Sequence, residues 1–176
     1  MIRILYFETT SHLPSSGHFL DALQERASRG QCEYRFVDEA QFAPSRTGFA
    51  ERATRRFLGR PLFGYRALNQ ALLKAARELR PDITIIGKGA YITPSTLQAI
   101  KRETGATLVN WAADDPFNRA NATRDLLRSI PIYDLYVCTK KAVIRDVRAA
   151  GSPRVAYVRF GYKPAAFFPE PAANNA

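Results

Sequence analysis

The sequence predicts a doubly wound α/β fold, and three observations predict it. Six short apolar runs rich in strand-forming residues recur along the chain. Segments with apolar residues three to four apart lie between them. Gly, Pro and Asp punctuate the changes from one pattern to the other. Strands alternating with helices argue for a parallel sheet, and right-handed crossovers then place helices on both faces.

Each element has its own warrant. Residues 2–7 (IRILYF) read as the first strand. Phe19, Leu20, Leu23 and Ala27 mark a helix that Gly30 stops. Residues 34–37 are the second strand, ended by Asp38. Residues 39–61 carry Pro44, Gly48, Gly59, Pro61 and several arginines, and read as a long, partly helical excursion. From Leu62 the helical period returns through Tyr65, Leu68, Leu72, Ala75, Ala76 and Leu79. Residues 83–86 are the third strand, an unbroken apolar run suited to a sheet covered on both faces. Pro94 opens a helix over residues 94–103, at a position where its missing N–H costs nothing. Residues 107–111 form the fourth strand, and a short helix follows near residues 122–128. Residues 133–138, 141–150 and 155–158 read as strand, helix and strand. The expectation is a Rossmann-like, mainly parallel sheet of about six strands. It forms one domain over residues 1–163, with residues 164–176, rich in Pro, Ala and Asn, as a linker or frayed tail.

Composition narrows the class. A chain of 176 residues with 46% hydrophobic and 24% charged residues has ordinary globular usage. It is long enough to bury roughly 70% of its unfolded surface. No apolar run approaches a membrane span of about 20 residues, and the apolar start ends at Glu8, too short for a signal-peptide core. A cytoplasmic location is the expectation. Cys32 and Cys138 are far apart and flanked by apolar segments, which reads as two buried free thiols rather than a disulfide framework or a CxxC site. The net charge of +10 points to nucleic acid, an anionic membrane or a phosphate-bearing ligand.

In open α/β sheets ligands bind beyond the carboxyl ends of the strands, which selects the loops to inspect. These carry Glu8, Thr9, Thr10, Ser11 and His12, then Asp38, then Gly87, Lys88 and Gly89. Further along come Asp114 and Asp115, then Thr139, Lys140 and Lys141, then Gly161 and Tyr162. Gly87-Lys88-Gly89 is half a dinucleotide fingerprint, but Ile92 stands where GxGxxG needs its third glycine. The three residues read either as a tight turn or as a close backbone approach to a ligand, with Lys88 over an anionic group. Two adjacent carboxylates in Asp114-Asp115-Pro116-Phe117 repel, which suits one of them to general-base work. Asp115 before a proline also reads as a helix N-cap. His12 is a second acid/base candidate or an exposed loop residue. No metal-ligand spacing, GxSxG or Cys-His arrangement is present.

Arg46, Arg52, Arg55, Arg56, Arg60 and Arg66 face one acid, Glu51, with Phe49, Phe57, Leu58 and Phe63 interleaved. This stretch reads either as a solvated helix with its apolar side on the core or as a dock for anionic lipid, with Arg52, Arg55, Arg56 and Arg60 as contacts.

Several ordered segments together resemble the N-terminal half of the CgeB-like (spore maturation) glycosyltransferases of GT-B architecture. They are the RILYF strand, Leu68-Asn69-Gln70-Ala71-Leu72-Leu73, Arg80-Pro81-Asp82 and Gly87-Lys88-Gly89. They continue with Leu108-Val109-Asn110-Trp111 before Asp114-Asp115-Pro116-Phe117, Tyr133-Asp134-Leu135 before Thr139-Lys140, and Phe160-Gly161-Tyr162-Lys163-Pro164. The likeness runs from Ile2 to Pro169. It implies an acceptor-side domain, with a nucleotide-sugar donor held by a C-terminal domain that this sequence does not contain. The chain alone is then expected to bind no cofactor and to be inactive. Asp114, Asp115 or His12 would serve as base. Ser11, Lys88, Gly89, Lys140 and Tyr162 would contact a sugar or glycan acceptor, or donor phosphate.

The rival reading is a non-catalytic basic α/β module that binds an anionic membrane surface or nucleic acid, peripheral at the membrane in the first case. The absence of an RNP-like motif and of a recognition-helix signature argues against nucleic acid.

Overall fold

The computed structural model describes residues 1–10, 14–42, 57, 65–118 and 122–161, with residues 14–16 in backbone only. Among the described residues there are six strands: β1 (Ile2–Glu8), β2 (Cys32–Asp38), β3 (Ile83–Gly87), β4 (Thr107–Ala112), β5 (Leu135–Cys138) and β6 (Val155–Tyr157). They form one sheet, all parallel, in the order β2-β1-β3-β4-β5-β6. The α-helices are α1 (Pro14–Ser28), α2 (Tyr65–Leu79), α3 (Pro94–Thr104), α4 (Arg124–Ser129) and α5 (Ile144–Ala149). The expected Rossmann-like α/β architecture is the one observed.

The strand order explains the two covered faces. From β1 the chain steps outward to β2, returns across β1 to β3, and then moves the other way through β4, β5 and β6. Right-handed crossovers in opposite directions put their helices on opposite faces. Side-chain parity agrees. On one face Phe19 of α1 lies 4.7 Å from the Tyr6 ring and 6.4 Å from Trp111, and the Cys32 thiol faces the Leu23 carbonyl. On the other face Leu5, Phe7, Ile86, Leu108, Tyr136 and Cys138 pack against Leu68 and Leu72 of α2, Leu97 and Ile100 of α3, and Val147 of α5. That second face holds the main core. Cys32 and Cys138 are both buried and free.

Several polar residues of the ordered segments have structural work. Asp82 accepts from the Arg3 amide at 2.7 Å, and Asp134 from the Leu108 amide at 2.9 Å. Each carboxylate stands just before its own strand and satisfies a donor near the start of the neighbouring one. Lys101 reaches Asp134 from α3 at 2.5 Å. Asn69, buried on α2, donates to the carbonyls of Tyr65 (2.8 Å) and Tyr91 (2.9 Å) and accepts from the Thr93 amide (2.9 Å). It fastens α2 to the loop that opens α3.

The boundaries differ from expectation in three places. β5 begins at Leu135, because Tyr133 and Asp134 still belong to the turn that clamps β4. The helix expected over residues 141–150 divides into a 3-10 turn, Lys141–Val143, and α5. The N-cap of the fourth helix is Thr123, whose side chain accepts from the Leu126 amide at 3.1 Å. Of the expected excursion after β2, Glu39–Phe42 is a 3-10 turn. The remainder up to residue 64 lies outside the described residues, apart from residue 57. The tail at 164–176 lies outside them as well.

Candidate functional site at the β1–β3 switch point

The reversal of strand order falls between β1 and β3, where folds of this kind open a crevice at the carboxyl ends. Pairing runs from Ile4 with Ile83 to Phe7 with Ile86, so the next residues along the two strands are Glu8 and Gly87. Glu8 is buried, at 7% exposure. A β-carbon on Gly87 would stand 1.8 Å from Glu8 Oε2, so the missing side chain is what makes room for the carboxyl. Burial pushes the Glu8 carboxyl up to about 7. The Thr9 amide, donating to Oε1 at 3.2 Å, pulls the other way, Glu39 and Asp114 add to the rise, and Lys88 opposes it. Glu8 is therefore close to half-ionised near neutrality, the state that suits a group exchanging a proton with a ligand.

Gly87-Lys88-Gly89 is a γ-turn. The Gly89 amide donates to the Gly87 carbonyl at 2.5 Å, and Lys88 takes a left-handed φ of 53°. Neighbouring strand β4 holds it there: the Lys88 amide donates to the Trp111 carbonyl at 3.0 Å, and Asn110 Nδ2 donates to the Lys88 carbonyl at 3.2 Å. The turn expected from the two glycines is present, and it presents the lysine. Lys88 Nζ lies 3.7 Å from Asp114 Oδ2, each side chain nearly half exposed. Gly89 is buried with φ 72°, and a side chain there would meet Ile86 at 2.6 Å. Its N–H is already used within the turn.

The remaining candidates separate into two groups. Asp114 joins Glu8 and Lys88. Asp115 Oδ1 accepts from the Phe117 amide at 2.9 Å, so Asp115 caps a turn over Pro116 and Phe117 rather than a helix. Thr139 supports this loop from β5, its hydroxyl donating to the Ala113 carbonyl at 2.9 Å. Lys140 is exposed beyond the end of β5, with β4 between it and the Lys88 turn. Ser11, His12, Tyr162, Arg52, Arg55, Arg56 and Arg60 lie outside the described residues.

Glu8 is the residue that reading the sequence passed over. It appears there as one polar residue among five after a strand. The available signal was a glutamate ending a strand whose neighbour ends in glycine. Asp38 is also engaged: it accepts from the Thr10 amide at 3.1 Å, the Thr10 hydroxyl at 2.5 Å and the Ala40 amide at 2.9 Å. It ties the loop after β1 to the loop after β2.

A small depression of about 10 Å³, room for about one water molecule, opens beside this group, lined by Lys88, Ala112, Asp114, Asp115, Pro116, Leu126 and Tyr136. Among the described residues no three His, Cys, Asp or Glu side chains are arranged to hold a metal ion. No helix among them is long and apolar enough to cross a membrane. No protein-family model matches the chain, and no curated protein matches it in sequence.

Proposed function

We propose that this chain is the acceptor-side domain of a GT-B-type glycosyltransferase and that Glu8 is its proton acceptor. The observation that carries this reading is the grouping of Glu8, Lys88 and Asp114 at the strand-order switch point. In sugar transfer the acceptor O–H bond breaks as its oxygen bonds the anomeric carbon and the diphosphate leaves. A buried carboxyl that titrates near 7 is matched to taking that proton. Asp114, half exposed and paired with Lys88, is better suited to holding the acceptor hydroxyl than to removing its proton. Asp115 is committed to its turn. The nucleotide-sugar donor belongs, on the resemblance, to a second domain.

Calorimetric titration of the 176-residue chain with UDP-glucose and GDP-mannose tests this division. Binding weaker than millimolar is expected. Micromolar binding of either to the chain alone would overturn it.

One observation favours the rival membrane reading. Tyr157, Val158 and Phe160 are exposed at the end of β6 beside Lys140, Lys141 and Arg159, and Lys141 lies 5.3 Å from the Tyr157 ring. Basic residues near an anionic bilayer contribute about 1 kcal/mol each, and exposed aromatics add apolar insertion. Sedimentation with phosphatidylserine vesicles at low and high salt decides it: salt-sensitive binding supports this reading, and none at low salt removes it.

A further inference from the structure

We propose that the outer edge of β6 binds an extended acidic segment of a partner protein, which adds to the sheet as a further strand and pairs its carboxylates with Lys140, Lys141 and Arg159. The inference is independent of Glu8 and its neighbours, so its failure leaves the acceptor reading untouched. It gives the basic, aromatic end of β6 a different occupant from the bilayer considered above.

The backbone carries the argument. β6 ends the sheet, and among the described residues its only neighbour is β5. The Arg154 carbonyl accepts from the Tyr136 amide at 2.9 Å, and the Val158 amide donates to the Cys138 carbonyl at 3.0 Å. In a parallel ladder alternate residues of a strand bond to the same neighbour. Residues 154, 156 and 158 therefore face β5, while Val155 and Tyr157 turn their N–H and C=O groups to the other side. A row of outward backbone donors and acceptors is a template for an incoming strand.

The surroundings of that edge select the partner. Residues 140–159 hold six Lys and Arg against one acid, Asp146, which pairs with its neighbour Arg145 at 3.5 Å. Lys140, Lys141 and Arg159 are exposed at the carboxyl ends of β5 and β6, and no carboxylate among the described residues forms an ion pair with them. Arg154 is exposed at the other end of β6. Tyr157, Val158 and Phe160 are exposed between and beside these cations, and Lys141 lies 5.3 Å from the Tyr157 ring. Such a charge repels a second copy of the same edge and attracts carboxylates. A bilayer or a nucleic acid would use the cations and the aromatic rings. An acidic peptide uses both and also the row of backbone groups.

Fluorescence anisotropy on the 176-residue chain tests the proposal. The probe is a labelled octapeptide that alternates glutamate and valine. A fully N-methylated version keeps its side chains and lacks every amide donor. Phosphatidylserine vesicles and a thymidine oligonucleotide are the competing partners. The parent peptide is expected to bind saturably, and the methylated one about tenfold more weakly. Lys140→Glu combined with Lys141→Glu, at exposed positions that leave the strand untouched, is expected to weaken binding about tenfold. Tyr157→Ala and Tyr157→Pro remove the same ring, but only proline removes the outward amide while sparing the bonds to β5. The proline variant is expected to bind about fivefold more weakly than the alanine variant, with thermal melts showing that both are folded. Equal binding by the parent and methylated peptides overturns strand addition. Equal binding by folded Tyr157→Pro and Tyr157→Ala does so too. Binding that ignores the charge reversal, no saturable binding of the parent peptide, or tighter binding of the vesicles or the oligonucleotide overturns the acidic peptide as occupant.

Discussion

The carboxyl of Glu8 occupies the space where a side chain on residue 87 would begin: a β-carbon there would lie 1.8 Å from Oε2 and 2.3 Å from Cδ. The two residues are 79 positions apart in the chain and meet only because β1 and β3 are neighbours at the switch point. Gly87→Ala is therefore a specific probe. The added methyl displaces the carboxyl from its buried position toward solvent, because the flexible side chain yields before the strand does. The expected outcome is a Glu8 titration that falls from about 7 toward the ordinary carboxylate range, read from the side-chain carboxyl carbon shift against pH. An unchanged midpoint would mean that the carboxyl stays buried against the new methyl.

Glu8 also makes stability depend on pH. The native carboxyl keeps its proton until about 7, while in the unfolded chain it titrates near 4.5. Between those values the native state binds more protons, so stability falls as pH rises through that window and the loss is complete above it. A displacement of that size corresponds to about 3 kcal/mol. Glu8→Gln keeps the shape and removes the ionisation. The variant is expected to match the parent near pH 4 and to exceed it by up to about 3 kcal/mol at pH 8. Urea unfolding at the two pH values is the measurement, and equal stability at pH 8 would sink the assignment.

The left-handed φ of 53° at Lys88 costs a residue with a side chain about 1 kcal/mol, and the Lys88–Asp114 pair, nearly half exposed, returns little of it. Comparing Lys88→Ala with Lys88→Gly separates backbone from charge, because both remove the ammonium and only glycine relieves the dihedral. The glycine variant is expected to be the more stable of the two by about 1 kcal/mol. Both are expected to shift the Glu8 midpoint above that of the parent, since the cation that favours its ionised form is gone. Chemical denaturation and the same carboxyl titration report the two effects independently.

How much of this was legible in the sequence depends on the range of the interaction. The strands were legible because an apolar run such as residues 83–86 is a local signal, and so was the turn at Gly87-Lys88-Gly89. Asp114 was found because it follows a strand directly. Glu8 was not, because its burial comes from a glycine on another strand and its altered titration from that burial. Asp115 was misread as a helix cap because the local pattern Asp-Pro is shared by turns and helices, and Thr123 eight residues later makes the cap instead. The polar residues Asn69, Asp82 and Asp134, which contributed to the family resemblance, turn out to hold backbone groups of the fold.

Asn69 shows that such a residue can be separated from the site by experiment. Its side chain satisfies the carbonyls of Tyr65 and Tyr91 and the amide of Thr93 at once, in a position only 8% exposed. Asn69→Ala orphans the Tyr91 carbonyl and the Thr93 amide where water has little access, since the Tyr65 carbonyl keeps the helical amide of residue 69, and leaving a buried polar group unpaired costs about 1–3 kcal/mol. A loss of about 2–3 kcal/mol is expected. Asn69→Asp keeps the acceptor for the Thr93 amide but loses both donors and buries a carboxylate, so it is expected to be the worse of the two at pH 8. Lowering the pH protonates that carboxylate and should recover part of its loss, which no other variant proposed at this position would do. The titration of Glu8 should be unchanged in Asn69→Ala, because Asn69 is absent from the groups that act on it. A large shift there would instead make Asn69 a positioning residue for the site.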